Sequence, residues 1–134
     1  MTHFDDLSPY TYIHPEEDAP NTVNVGWLDV RHPFRTGKTD YEFQRKLQRL
    51  CRRRFKQTRG FLPCYFCKGE DRPISSSEIR IASAGTVFAA PSLVYHYVAA
   101  HDYRPPDEFI SAVLEWNETD NDTVGWRLVF KNEA

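Results

Sequence analysis

Cysteine is scarce in this chain. There are three in 134 residues, too few and too odd a number for a secreted scaffold stapled by disulfides. Long apolar runs are absent, and none approaches the ~20 residues that a membrane helix needs. The first 30 residues contain no lysine or arginine. The start, Met1-Thr2-His3-Phe4-Asp5-Asp6, is acidic and has no basic stretch leading into an apolar one, so it does not read as a secretory signal. These absences predict a cytoplasmic protein without a membrane role. Also missing are a glycine-rich phosphate loop, a nucleophile elbow and an HExxH helix. The resulting expectation is a protein that is not an enzyme.

What is present is a foldable composition: 40% hydrophobic and 14% aromatic residues. The length suits one compact domain. Charge is segregated along it. Residues 1–30 carry −6, residues 31–72 carry +9 and residues 73–134 carry −5, leaving −2 in all. A basic centre lies between two acidic flanks.

Residues 1–22 read as an extended acidic arm broken by Pro9, Pro15 and Pro20, with Tyr10, Tyr12 and Ile13 available to dock on the core. Val23, Val25 and Trp27 alternate and predict a strand over 22–28, weakened by Gly26. Thr39 and Glu42 fit a capping box. Phe43, Leu47, Leu50, Cys51 and Phe55 form one helical stripe, which predicts a long helix over 40–58 with a stop at Gly60. A hairpin is expected from strands near 78–82 and 86–89 around Ser83-Ala84-Gly85. Helices follow over 92–101 and 106–116, the first with Pro91 in its opening turn. Residues 117–134 read as a polar loop and a terminal strand packed on the domain 23–116. The fold class is α+β in one small domain: a knuckle, a β-hairpin and a ligand-bearing helix against a longer amphipathic helix.

The stretch "LPCYFCKGED" (62–71) raises the chemical question. Cys64 and Cys67 are followed, after 28 intervening residues, by His96 and His101. Two thiolates on a tight turn and two imidazoles on a helix make a tetrahedral set for structural Zn2+, one ion per chain. Gly69 stands where a knuckle needs positive φ. Knuckle, hairpin and ligand helix is the order of a treble clef. On an ideal helix, residues five apart are ~140° apart, so His101 must lie where the helix ends. Other readings stay open. One is a pair of unliganded core residues. Another is a redox pair, though the following Lys-Gly-Glu-Asp-Arg-Pro does not begin a helix that would lower a thiol pKa. A disulfide conflicts with the expected compartment.

The segments "NVGWLDVRHPFRTG", "LCRRRFKQTRGFLPCYFC" and "SEIRIASAGTVFAAPSLVYHYVAAHDYRPPDEFISAVL" closely resemble a family of small bacterial proteins of uncharacterised function. The resemblance covers about residues 23–114. It implies that Cys64, Cys67, His96 and His101 act as one set, and it implies no activity. The arm and the tail lie outside it.

Between residues 45 and 59 lie Arg45, Lys46, Arg49, Arg52, Arg53, Arg54, Lys56 and Arg59. Such density suggests phosphate contact, with Tyr65 and Phe66 of the knuckle stacking on bases. The alternative is a solvated or internally paired helix face, with the acidic arm lying across it. Asp29 and His32 offer an acid–base pair, or simply a structured loop. Three functions follow in order: a non-enzymatic zinc-stabilised adaptor acting through a protein partner, a nucleic-acid-binding zinc module, and a metal-dependent nuclease or hydrolase using His32.

Overall fold

A computed structural model describes residues 3–10, 21–53 and 56–116. In chain order the elements are β1 (Thr22–Asn24), α1 (Tyr41–Cys51), β2 (Lys56–Pro63), β3 (Ile74–Ser83), β4 (Thr86–Pro91), α2 (Val94–His101) and α3 (Asp107–Glu115). The strands form one sheet in the order β1-β4-β3-β2. β2, β3 and β4 make an antiparallel meander, and β1 joins β4 in parallel through Val23 opposite Phe88. The architecture is α+β, as expected.

Alternation along β3 sorts the sheet into two faces. Ile79 and Ile81 join the main core with Phe88 and Ala90 of β4. Against them pack Phe43, Leu47 and Leu50 of α1 and Phe109, Ala112 and Val113 of α3. Phe109 bridges the layers, meeting Phe88 at 5.8 Å and Phe43 at 6.4 Å, both edge to face. Glu78 and Arg80 point the other way, yet both are fully buried. The N-terminal segment helps cover that face. Ser8 and Tyr10 exchange backbone hydrogen bonds with Asn24 and Thr22, along the free edge of β1.

The β3–β4 hairpin forms as expected, with Ala84 (φ 52) and Gly85 (φ 83) in a two-residue turn of the kind that matches strand twist. Several expectations are corrected. The helix predicted over 40–58 ends at Cys51, because residues from Lys56 onward pair with β3 instead. The gain of a ladder overrides helix propensity, which is a weak preference. Gly60 is therefore no helix stop. It lies inside β2, in the stretch where the β2–β3 register shifts between Gln57 and Leu62, a common place for glycine.

The capping box does not form. Asp40 takes the cap position without a side-chain bond, while Thr39 Oγ1 accepts from Gln44 Nε2 at 3.0 Å and Glu42 pairs with Arg45. The strand near 22–28 stops at Asn24, and Gly26 turns away at φ 78. A side chain at Gly26 would place its Cβ 2.8 Å from Val94 Cγ2, so the first strand and α2 approach more closely there than any other residue allows. Pro91 ends β4 rather than opening α2, which starts at Val94. The predicted terminal strand, Tyr12, Ile13 and Phe55 lie outside the described residues.

Candidate metal centre

β2 ends at Pro63, and the chain turns at once through Cys64–Cys67. The Cys64 amide donates to Pro73 O at 3.0 Å, closing the loop back onto the start of β3. Gly69 takes φ 95 with open space around its α-carbon, so it serves the backbone path of the knuckle rather than its packing. Phe66 points inward among Phe34 (5.3 Å), Tyr97 (5.9 Å) and His101 (5.5 Å between ring centroids). Phe34 in turn meets Tyr103 at 5.9 Å. This aromatic support ties the knuckle to α2.

α2 buries Val94, Tyr97 and Val98, which directs His96 toward the knuckle. The helix ends at His101. Asp102 adopts φ 56, and the Tyr103 amide returns to Tyr97 O at 3.1 Å, a left-handed C-terminal cap. His101 thus stands at the last helical position, as its five-residue spacing from His96 requires. The two imidazoles lie 5.0 Å apart at 80°.

Cys64 Sγ lies 3.4 Å from His101 Nε2, and Cys67 Sγ lies 3.2 Å from His96 Nε2 and 3.5 Å from His101 Nε2. One ligand atom from each of the four residues falls within 4.8 Å of all the others. A tetrahedral ion with thiolate bonds near 2.3 Å and imidazole bonds near 2.0–2.1 Å has ligand-to-ligand edges of about 3.4–3.8 Å. The three sulfur-to-nitrogen distances are close to such edges, and the remaining separations stay within 4.8 Å. No disulfide is formed. Burial pushes the Cys64 thiol up, and burial with the neighbouring His101 holds His96 below its ordinary value. Without a cation these shifts favour the protonated Cys64 thiol and the neutral His96 ring. A divalent cation would displace the thiol protons and meet four lone pairs. Cys64, Cys67, His96 and His101 can hold a metal ion.

Cys51 behaves as an ordinary packed residue against the core, its thiol pushed up to about 12 by burial. The basic residues do not share one helix. Arg45 bonds Glu42 at 3.0 Å, and Arg53 lies 4.9 Å over the Trp116 ring. Lys46 Nζ donates to Leu114 O (2.6 Å) and Trp116 O (3.1 Å), capping the end of α3. Arg49 lies in the last turn of α1 and the exposed Arg52 is its cap, whereas Lys56 and Arg59 belong to β2. Of the two knuckle aromatics, Tyr65 is 42% exposed and Phe66 is packed inward.

Asp29 and His32 form the structured loop. Asp29 Oδ1 accepts from the Arg31 amide at 2.8 Å, Arg31 holds its carboxyl below the usual range, and His32 stacks on His3 at 4.0 Å. The described part of the arm lies on β1 and Trp27, not across α1. Phe4 packs edge to face on Trp27 at 5.9 Å, and Asp6 accepts from the Gly26 amide at 3.0 Å and from Tyr103 Oη at 2.7 Å. Sequence reasoning missed Asp6, Phe34 and Tyr103 as supports of the site. His-Pro-Phe within the quoted resemblance was the signal for Phe34.

Fold and site together define a small α+β domain with a Cys2His2 cluster. The chain belongs to the family described as a domain of unknown function (DUF7919), which matches residues 2–114. The family match takes in residues 2–22, which the resemblance left outside. No curated protein and no solved structure matches the chain. No helix among the described residues is long and apolar enough to cross a membrane.

Proposed function

We propose that this chain is a non-enzymatic binding module, stabilised by one structural Zn2+ on Cys64, Cys67, His96 and His101, that acts through a protein partner. The observation that carries the reading is the closed set of four mixed sulfur and nitrogen donors. Thiolate with imidazole suits zinc, and four protein ligands leave no position open for a reacting water. The order of knuckle, hairpin and ligand helix is that of a treble clef. The partner surface is the exterior of the knuckle, where Tyr65 (42% exposed) and Ile74 (61% exposed) stand as large apolar side chains. They are neighbours through the chain, since Ile74 pairs with Pro63 and Pro73 accepts from the Cys64 amide.

Elemental analysis of the purified protein tests the centre. One zinc per chain is expected, lost in Cys64→Ser and in His96→Ala. Iron in place of zinc, or no metal in protein purified without chelators, would remove the reading. Titration with a single-stranded oligonucleotide tests the mode of action. Affinity that collapses between low and moderate salt would move the function to nucleic acid. Cleavage of that oligonucleotide, lost in His32→Ala with zinc retained, would move it to hydrolysis.

A further inference from the structure

A second concavity is independent of the metal centre. It is a cavity of about 390 Å3 beside the β3–β4 turn. Its apolar walls are Leu7 of the N-terminal segment, Val23 of β1, Phe88 of β4 and Ala84 of the turn. Its polar side is Ser83 and Thr86 of the hairpin with Glu108 and Ser111, the last two one helical turn apart on α3 and so on one face. We propose that this cavity binds a small organic cation, an apolar body about the size of one aromatic ring carrying a primary ammonium group.

Three observations converge. The volume lies at the small end of ligand sites, and the lining is the usual one for them, apolar with a few polar groups. The charge is of one sign. Among the described residues no lysine or arginine lines the cavity, and Glu108 is exposed with no hydrogen bond or ion pair to any of them. The arginines that reach the first turn of α3, Arg35 and Arg104, bond Asp107 at 3.0 and 3.3 Å instead. Ser83 Oγ donates to Glu115 Oε2 at 3.3 Å, which fixes the hairpin turn against the same acidic helix face.

The third observation is Leu7. It takes φ 70 in the turn closed by Ser8 N to Asp5 O, a position that glycine or asparagine normally fills. Its amide is pinned to Asn24 O at 2.7 Å, and its side chain is 38% exposed at the cavity. A leucine held in the left-handed region without being buried is better placed to cover a ligand than to fill the core.

Amide NMR titrations with phenethylamine and with phenylacetate at neutral pH test the proposal. The two share the ring and differ in charge sign. Phenethylamine is expected to shift the amides of Leu7, Ala84 and Ser111 with a dissociation constant of about 1 mM or tighter, within the efficiency of a ligand of its size. Phenylacetate is expected to bind more weakly. Glu108→Gln should weaken phenethylamine about two- to fivefold and bring the two probes together. Leu7→Gly should lose binding while the melting temperature holds. Equal binding of both probes, shifts confined to other amides, or no shift at ten times that concentration would overturn the proposal. So would a lower melting temperature in Leu7→Gly with phenethylamine binding intact, which would make Leu7 a folding residue only.

Discussion

Two clusters of polar side chains lie within this small domain, and they are unlike in one decisive respect. On the far face of the sheet, Glu78, Arg80 and Tyr10 bond one another. Tyr10 Oη donates to Glu78 Oε1 at 2.8 Å, Arg80 Nε donates to Glu78 Oε2 at 3.2 Å, and the guanidinium lies 4.5 Å over the Tyr10 ring. Burial and the Glu78 carboxylate push the Tyr10 hydroxyl up, so it stays a donor. At the knuckle, two thiols and two imidazoles converge as closely, but each offers a lone pair to the same point. The first cluster holds both signs of charge and is a latch. The second holds only groups that can ligate, and it can accept a cation from outside. Burial and proximity alone do not separate a latch from a metal site; the complementarity of the groups does.

The largest test of this contrast removes the cation. Strong chelation should unfold the domain or lower its melting temperature by tens of degrees, since structural zinc contributes ~10 kcal/mol or more to folding. An unchanged melt after verified metal loss would show that the knuckle folds without a cation. Acid should act the same way. The lowered His96 favours the neutral ring in the folded state, so its share of stability is present above the ordinary histidine value of about 6.5. That share is lost as pH falls from there toward the depressed value, while protons compete with metal for the ligands.

Breaking the latch comes next. Glu78→Ala should cost ~3–5 kcal/mol by denaturant unfolding, because it leaves a buried guanidinium without its carboxylate. Replacing both charges, as in Glu78→Leu with Arg80→Met, should cost less than the single change. A double variant worse than the single would show that the pair does not act as a unit.

Gly26→Ala tests whether the two regions are linked. Its amide holds Asp6 of the N-terminal segment, and its α-carbon abuts Val94 at the start of the histidine helix. The crowding and the positive φ should cost ~1–3 kcal/mol. Zinc content falling together with stability would mean that the supports of latch and knuckle are mechanically joined. The smallest effect is Tyr10→Phe, which keeps the ring over Arg80 and removes one donor, for about 1 kcal/mol in the same unfolding measurement.

Much of this was legible from the chain. The hairpin followed from Ala84-Gly85 between apolar runs, and the helices near 94–101 and 107–115 from their stripes and boundary residues. The grouping of Cys64, Cys67, His96 and His101 was legible from residue type and spacing. The end of α1 was not. Residues 43–55 carry one helical stripe, and nothing local says that Lys56–Pro63 has a strand partner in β3. The basic stretch was not legible as two elements for the same reason. It reads as one charged surface, yet Lys46 caps α3 and Arg53 lies over Trp116, partners about 65 residues away.

What the chain by itself determined is local and chemical: where turns fall, which segments are periodic, and which side chains can bind a cation. Those properties depend on residue type and short spacing. The tertiary structure decided which polar residues meet. Glu78 and Arg80 look like surface charges of a strand until the opposite face of the sheet is covered and Tyr10, 68 residues away, is brought onto them. Convergence of distant groups is a property of the packed layers, because no short-range preference carries information about it. The knuckle lay between these cases. Its residues named the chemistry, and only the fold brought Cys64 within 3.4 Å of His101.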